Sequence, residues 1–281
     1  MASWSTQRRR RRQVRALGIG LALLTWTLPL AWTGLASLGI IPDNSQSPPS
    51  WRLSPTVEAY ATIAAVERDL AQQVVISTGL AVVVTLLALS VGLPAAYGLI
   101  GSRLGSRTWL VQACLVLASL PVMAYVLPLD DTLRRVGLHA TLAGTVAAET
   151  AVLTALAVYA LCGYVAQVPV DLEDAARLDG ASTLRVLWSV ILPSTASGLV
   201  ATGLVLFVLD WNLLLVPLVI GVPALRTVPV AMVDFFTLER GVEWPPAAAA
   251  LIVSLLPPAL IVAVAHRALE RFSLPAAFPS D

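Results

Sequence analysis

Gln167 to Thr195 reads QVPVDLEDAARLDGASTLRVLWSVILPST, and its punctuation decides how the rest of the chain is understood. Pro169 closes the helix before it. Asp171 is expected to cap a new one, with Glu173 and Asp174 in the next turn, where the positive end of the helix dipole favours acids. Ala175 and Ala176 leave part of that helix without bulk, so another protein's surface can approach its backbone. Asp179-Gly180 is a helix-ending pair. Ser182 then caps a second stretch, in which Leu184, Leu187, Trp188 and Ile191 recur at helical spacing until Pro193. On these residues alone the segment reads equally well as a structured connector or as a docking element.

Outward from this segment the chain turns apolar. Of 281 residues, 57% are from the apolar set and 12% are charged, with a mean hydropathy of +0.81. Ordinary soluble domains carry roughly 25% charged residues, so a soluble enzyme of this size is excluded. All 18 basic residues are Arg, and the absence of Lys removes P-loop, pyridoxal and retinal Schiff-base chemistry. Six stretches reach the roughly 20 apolar residues that a bilayer crossing needs: Ala16 to Ile41, Val74 to Ile100, Trp109 to Leu129, Thr141 to Val165, Ala196 to Ile220 and Pro246 to Ala265. The first follows a basic head, but its apolar run is too long for a secretory signal and no small-residue cleavage site ends it. Cys114, Cys162, His139 and His266 show no metal-ligand spacing and read as packing residues.

Orientation follows from Arg. Arg8 to Arg12 and Arg15 precede the first span, which places the N-terminus in the cytoplasm under the positive-inside bias. The expected layout is a basic cytoplasmic tail (1–15), a six-helix transmembrane domain (16–268) and a cytoplasmic C-terminal tail (269–281). The longest outer loop is 42–73, and the inner loop 166–195 lies between helices 4 and 5.

Glu149 and Asp210 are the acids expected within the hydrocarbon, roughly 12 and 15 Å in from the outer helix ends by the helical rise. Such residues face an interior or a wet cavity, because an acid at a helix centre costs about 2.5–3.5 kcal/mol. They are read either as lining one cavity or as hydrogen-bonded to neighbouring helices. Trp211 and Asn212 follow Asp210, and an aromatic face flanked by carboxylate and amide suits a sugar.

The inner loop resembles the EAA motif of permease subunits in binding-protein-dependent ABC importers. The matching positions are Asp174, Ala175, Ala176, Gly180, Val190, Leu192 and Pro193, with Asp in place of Glu and Val in place of Ile. AAYGL at Ala95 to Leu99, WN at Trp211 and Asn212, TVPVAMVDF at Thr227 to Phe235 and AAAALIVSLLP at Ala247 to Pro257 are similar to the carbohydrate branch, the maltose and trehalose permeases.

This resemblance implies an all-α membrane protein of the type I ABC importer permease fold, with a cytoplasmic coupling helix between helices 4 and 5. It would lie multi-pass in a bacterial inner membrane and carry a neutral carbohydrate, an oligosaccharide or glycoside. The implied partners are ATP-binding subunits as two copies or a dimer, a second permease in a heterodimer, an extracytoplasmic binding protein and membrane lipid, with no nucleic acid. Closure of the ATPases would draw the coupling helices together and open the pathway outward, and hydrolysis would reset it. No catalytic residue, metal or cofactor is expected, since neither GxSG nor HExxH occurs. The alternative is a proton-coupled secondary transporter using Glu149 or Asp210.

Overall fold

Apolar runs of this length satisfy their backbone in lipid only as helices, and helices make up nearly all of the computed structural model. It describes residues 2–43, 50–51, 55–66, 69–101, 107–236 and 244–273. The end of the expected C-terminal tail (274–281), much of the Pro- and Ser-rich start of the outer loop (44–49 and 52–54) and the side chains of Arg8 to Arg12 lie outside the described residues. Two compact units divide the chain, Met1–Leu70 with Asp234–Leu255, and Ala71–Val233 with Leu256–Asp281.

In the first unit, α1 (Ala2–Ser37) runs unbroken through Pro29. Its stretch Gln13–Ser37 is long and apolar enough to cross a membrane, and its most apolar window contains no buried residue. The hydroxyls of Thr25, Thr27 and Thr33 donate to the carbonyls of Leu21, Leu23 and Pro29, each at 2.9 Å, so they leave no polar group open to lipid. Past Ser37 the chain makes a two-residue antiparallel pair, β1 (Pro42–Asp43) with β2 (Ser50–Trp51), and then α2 (Glu58–Val66). The expected outer loop 42–73 thus holds a helix of its own. Leu38 O accepts from the Thr56 N–H at 2.9 Å, and Ser37 Oγ lies 2.9 Å from the Tyr60 hydroxyl.

The second unit takes in most of α3 (Asp69–Gly101), then α4 (Arg107–Ser119), α5 (Val122–Arg135) and α6 (Leu142–Val165). After α6 come α7 (Val170–Leu178), α8 (Thr183–Val186), a π turn (Leu187–Ile191) and α9 (Leu192–Ser194). Then follow α10 (Ala196–Trp211), α11 (Leu215–Ile220) and α12 (Val228–Met232). The last helix, α13 (Trp244–Ser273), carries Pro257 and Pro258 within it. Gly92 lets α3 approach α6 closely, because a Cβ there would stand 2.9 Å from that of Ala157. Leu80, Val84, Ala88, Leu153, Ala157 and Leu206 form the core of that meeting.

Two expected spans are not single helices. The third, Trp109 to Leu129, is α4 and α5 meeting at 92°. Pro121 sits at the break with φ −63°; it has no N–H to continue α4 and it disfavours helical backbone in Leu120 before it. The fifth, Ala196 to Ile220, ends as α10 at Trp211, and α11 is a separate short helix. At its other end α10 meets the 183–194 helix at 78°, where Thr195 leaves the helical region (φ −103°, ψ 11°). Among the described residues, four helices are therefore long and apolar enough to span uninterrupted, and up to six spans result if each bent pair is one.

Candidate functional site

The expected coupling residues lie on α7 and the helices after it. Pro169, not Asp171, is the N-cap of α7, because its fixed φ of −59° and its lack of an N–H suit a helix start. Asp171 and Glu173 fall in the first turn and Arg177 in the last, each with the favourable dipole sign. The helix stops in two closing bonds: Gly180 N–H to Arg177 O and Ala181 N–H to Ala176 O, both at 3.0 Å. That closure holds Gly180 at φ +79°, a conformation for which glycine is the natural choice. Ser182 caps the next helix by accepting from Arg185 N–H at 3.4 Å.

The seven motif positions divide into two groups. Asp174, Ala175, Gly180 and Pro193 are exposed. Ala176, Val190 and Leu192 instead pack against a cluster that includes Leu161, Val165, Val186 and Ile191. Four positions of the pattern therefore present a surface and three anchor it. Leu178 is 89% exposed at the end of α7, and Val170 and Leu172 are also exposed, so the outward face mixes acids with apolar side chains.

A contact that no local pattern in the sequence foretold ties this element down. The Tyr97 hydroxyl, near the end of α3, donates to Glu173 Oε1 at 2.6 Å. Arg177 donates to the same Glu173 oxygen and, at 3.3 Å, to the Tyr97 hydroxyl. The hydrogen bond to Tyr97 and then the Glu173 charge push the Arg177 guanidinium above its ordinary pKa, so it remains cationic. The only hint in sequence was Tyr97 itself within AAYGL, an amphipathic ring near a span's end. Beside the triad lies a groove of about 510 Å³ lined by Pro94, Tyr97, Gly98, Gly101, Arg177, Thr183, Leu184 and Leu187.

Glu149 on α6 and Asp210 on α10 are 1% and 6% exposed and lie within electrostatic reach of each other. Neither oxygen of Glu149 has a hydrogen-bond partner, nor does Asp210 Oδ1. The hydroxyls of Thr85, Thr150 and Thr202 on α3, α6 and α10 are likewise buried and unpartnered. Asp210 is not deep within a helix as expected, for it sits one residue before the end of α10. Trp211 and Asn212 do not join the acids. The Trp211 ring stacks on Phe207, with centroids 6.1 Å apart and planes at 24°, in a cluster with Ala81 and Val228. The Asn212 amide donates to Val208 O at 2.7 Å and closes the helix end.

Of the residues expected to serve packing, Cys162 is buried in the core at 2% exposure. His139 does otherwise: its Nδ1 pairs with Asp130 Oδ1, and Asp130 Oδ2 accepts from Arg134 Nε at 2.8 Å. Among the described residues no group of His, Cys, Asp and Glu is arranged to hold a metal ion.

Broken and unbroken apolar helices, with a short exposed helix anchored between two of them, define the membrane-spanning subunit of an ABC importer. The fold matches that of a chain of the bacterial ABC transporter involved in the import of the acidic polysaccharide alginate, with a TM-score of 0.70 at 18% identity, covering 92% of this chain and 96% of that one. The MetNI methionine ABC transporter gives a TM-score of 0.60 at 15% identity, over 73% of this chain and 97% of that one. In sequence the chain is 31% identical over 222 residues to the trehalose transport system permease protein SugB of Mycobacterium tuberculosis, covering 78% of each. It is 26% identical over 253 residues to the sulfoquinovosyl glycerol transport system permease protein SmoH of Agrobacterium fabrum, covering 89% of this chain and 88% of that one.

Residues 1–273 match the family of binding-protein-dependent transport system inner membrane components, and the chain belongs to that family. It is a non-catalytic permease of an ABC importer in the inner membrane, and ATP is hydrolysed by separate subunits. A binding protein and ATP-binding subunits are its partners by class. Membership assigns the energy source to ATP, so nothing favours the proton-coupled alternative.

Proposed function

We propose that this permease, paired with a second permease chain, forms the pathway for a neutral carbohydrate, an oligosaccharide or glycoside, and takes its power stroke through α7. The observation that carries the reading is the exposed face of α7: Asp174 and Ala175 lie open, Gly180 turns the chain back, and Tyr97 and Glu173 fix the helix from behind. An exposed acid beside an alanine with apolar neighbours suits a partner that offers a cation at the rim of an apolar cleft, the surface expected of each ATP-binding subunit. Asp174, Ala175 and Gly180 make the contact, Ala176, Val190 and Leu192 carry it into the membrane helices, and the exposed Pro193 lies where the coupling segment runs into them.

The carbohydrate assignment is supported by the trehalose relative and by the chemistry of Glu149 and Asp210. Two neighbouring buried acids with unpartnered oxygens disfavour an anion and can accept from sugar hydroxyls once the helices part. The proposed pathway extends to Trp211 and Asn212, which follow Asp210 in sequence at the end of α10. The N-terminus and residues 1–15 lie in the cytoplasm with α7, residues 16–268 form the membrane domain, and 269–281 return to the cytoplasm. The binding protein delivers substrate at the opposite face, to the outer loop 42–73.

The test is Ala175→Trp in the complete importer. Uptake that requires internal ATP is expected to fall to background while the protein stays in the membrane, because the added bulk lies on an exposed docking face. Normal uptake in that variant overturns the assignment of α7.

A further inference from the structure

We propose that Tyr97 is a positioning residue: its hydrogen bond to Glu173, braced by Arg177, is the clamp through which displacement of α7 is passed to the Gly101 end of α3. The proposal rests on the reading that ATP-binding subunits move α7, and it adds the route by which that movement enters a membrane helix.

Four observations carry it. The bond joins residues 76 apart in sequence at 2.6 Å, a short hydroxyl-to-carboxylate contact of the strong, charge-assisted kind. Arg177 donates to both partners, so the three groups form a closed triangle rather than a single swinging contact. The Tyr97 ring is 7% exposed and held in a cluster with Val186, Leu187 and Ile191, which leaves the hydroxyl little freedom to turn away. Finally, α3 has a soft point in the right place. Pro94 lies one turn before Tyr97 and cannot donate to the carbonyl of Ser90, and the Ser90 hydroxyl is committed to Leu86 O at 2.7 Å.

The last turns of α3 can therefore bend at Pro94 while the helix before it stays in register with α6. Room for the movement exists in the groove beside the triad, where Gly98 and Gly101 present no side chain and a Cβ at either would meet nothing within 4 Å. Apolar packing, which this end of α3 shares with Ala176 of α7, has no preferred direction, whereas the clamp does. With it, a pull on Glu173 becomes a pull on Tyr97.

The experiment uses the full importer with paired spin labels and compares the resting state with the ATP–vanadate trapped state. One label sits on α7 at Leu178→Cys, a second at the end of α3 at Gly98→Cys, and a reference on the far part of α3 at Val75→Cys, where the side chain is 70% exposed. Trapping is expected to change both the Leu178 to Val75 and the Gly98 to Val75 distances. In Tyr97→Phe, which keeps the ring and removes the hydroxyl, the Leu178 change should persist. The population showing the Gly98 change should drop by about 10-fold, the factor a hydrogen bond to a charged group carries. Glu173→Gln alone, which keeps an acceptor for the Tyr97 hydroxyl, should retain much of it, and Tyr97→Phe with Glu173→Ala should be no worse than either alone.

If both distance changes survive in Tyr97→Phe, the clamp is wrong and the docking reading stands. If trapping moves neither label in the otherwise unaltered importer, the docking reading itself fails. Should Tyr97→Phe not assemble, Glu173→Ala removes the same bond from the half-buried side of the pair and decides the question alone.

Discussion

The α7 segment and the Glu149–Asp210 pair both interrupt an apolar chain with polar groups, and they handle those groups in opposite ways. Around α7 the polar groups close on one another: Tyr97 on Glu173, Arg177 on both, and the Gly180 N–H on the carbonyl of Arg177. Between α6 and α10 both oxygens of Glu149 and one of Asp210 have no partner. Each buried, unpartnered group costs about 1–3 kcal/mol, so any arrangement that admits water or hydroxyls to the acids is favoured by that amount. One region is built to keep its shape; the other gains by opening.

The largest effect that separates the two regions is expected at Gly180. A Cβ at Gly180 would meet no neighbour within 4 Å, so the defect of Gly180→Val lies in its backbone conformation. A β-branched residue at φ +79° costs about 1–3 kcal/mol and redirects the chain leaving α7. Uptake should be abolished, while membrane abundance on immunoblots stays near normal. Transport by Gly180→Val at the parent rate would show that the turn is not part of coupling.

A smaller loss, with a telling sign, is expected at the acids. Asp210→Asn keeps the shape and part of the acceptor capacity, so uptake should weaken by about 10-fold, the worth of one good hydrogen bond to a charged group. Asp210→Ala should weaken it further. Because the carboxyl is buried with an unpartnered oxygen, neither substitution should lower the midpoint of thermal unfolding in detergent, and Ala should raise it. A fall in that midpoint in both variants would mean that the acid holds the fold rather than the pathway.

The mildest effect is expected at Gly92→Ala, a contrast with Gly180 that isolates space from conformation. A Cβ there would stand 2.9 Å from that of Ala157, and overpacking of this kind costs about 1–3 kcal/mol. Thermal unfolding should shift downward, with the ATP requirement of the remaining uptake unchanged. An unshifted midpoint would mean that α3 and α6 give way freely at this crossing.

What could be read beforehand follows the same division. The helix over Val170–Leu178 and its stop at Gly180 rest on residues within one turn of each other, so their order in sequence carries the answer. Even there the cap moved from Asp171 to Pro169, since both residues suit a helix start. The breaks at Pro121 and Thr195 were hidden because length and hydropathy, which reveal a span, do not change when a helix bends. The direction of the Trp211 ring was not legible, because it is set by Phe207 on its own helix and by Ala81 and Val228 from far along the chain. The Tyr97–Glu173 bond has the same character, for no local pattern links residues that distant. That Glu149 and Asp210 would be buried was legible because acids in apolar runs are costly wherever they occur; that they lie within reach of each other was not.

The contrast between α1 and α6 has a consequence for biogenesis. The hydroxyls of Thr25, Thr27 and Thr33 are bonded within α1 itself, so this apolar stretch carries its own partners as soon as it leaves the ribosome. Glu149 has no partner on α6, and α10, which packs against that helix, is made about sixty residues later. At a synthesis rate of about 5–20 residues per second, that interval is roughly 3–12 s. For those seconds the Glu149 side of α6 lacks the helix that covers it, and depletion of a membrane chaperone is expected to lower insertion of α6 more than that of α1.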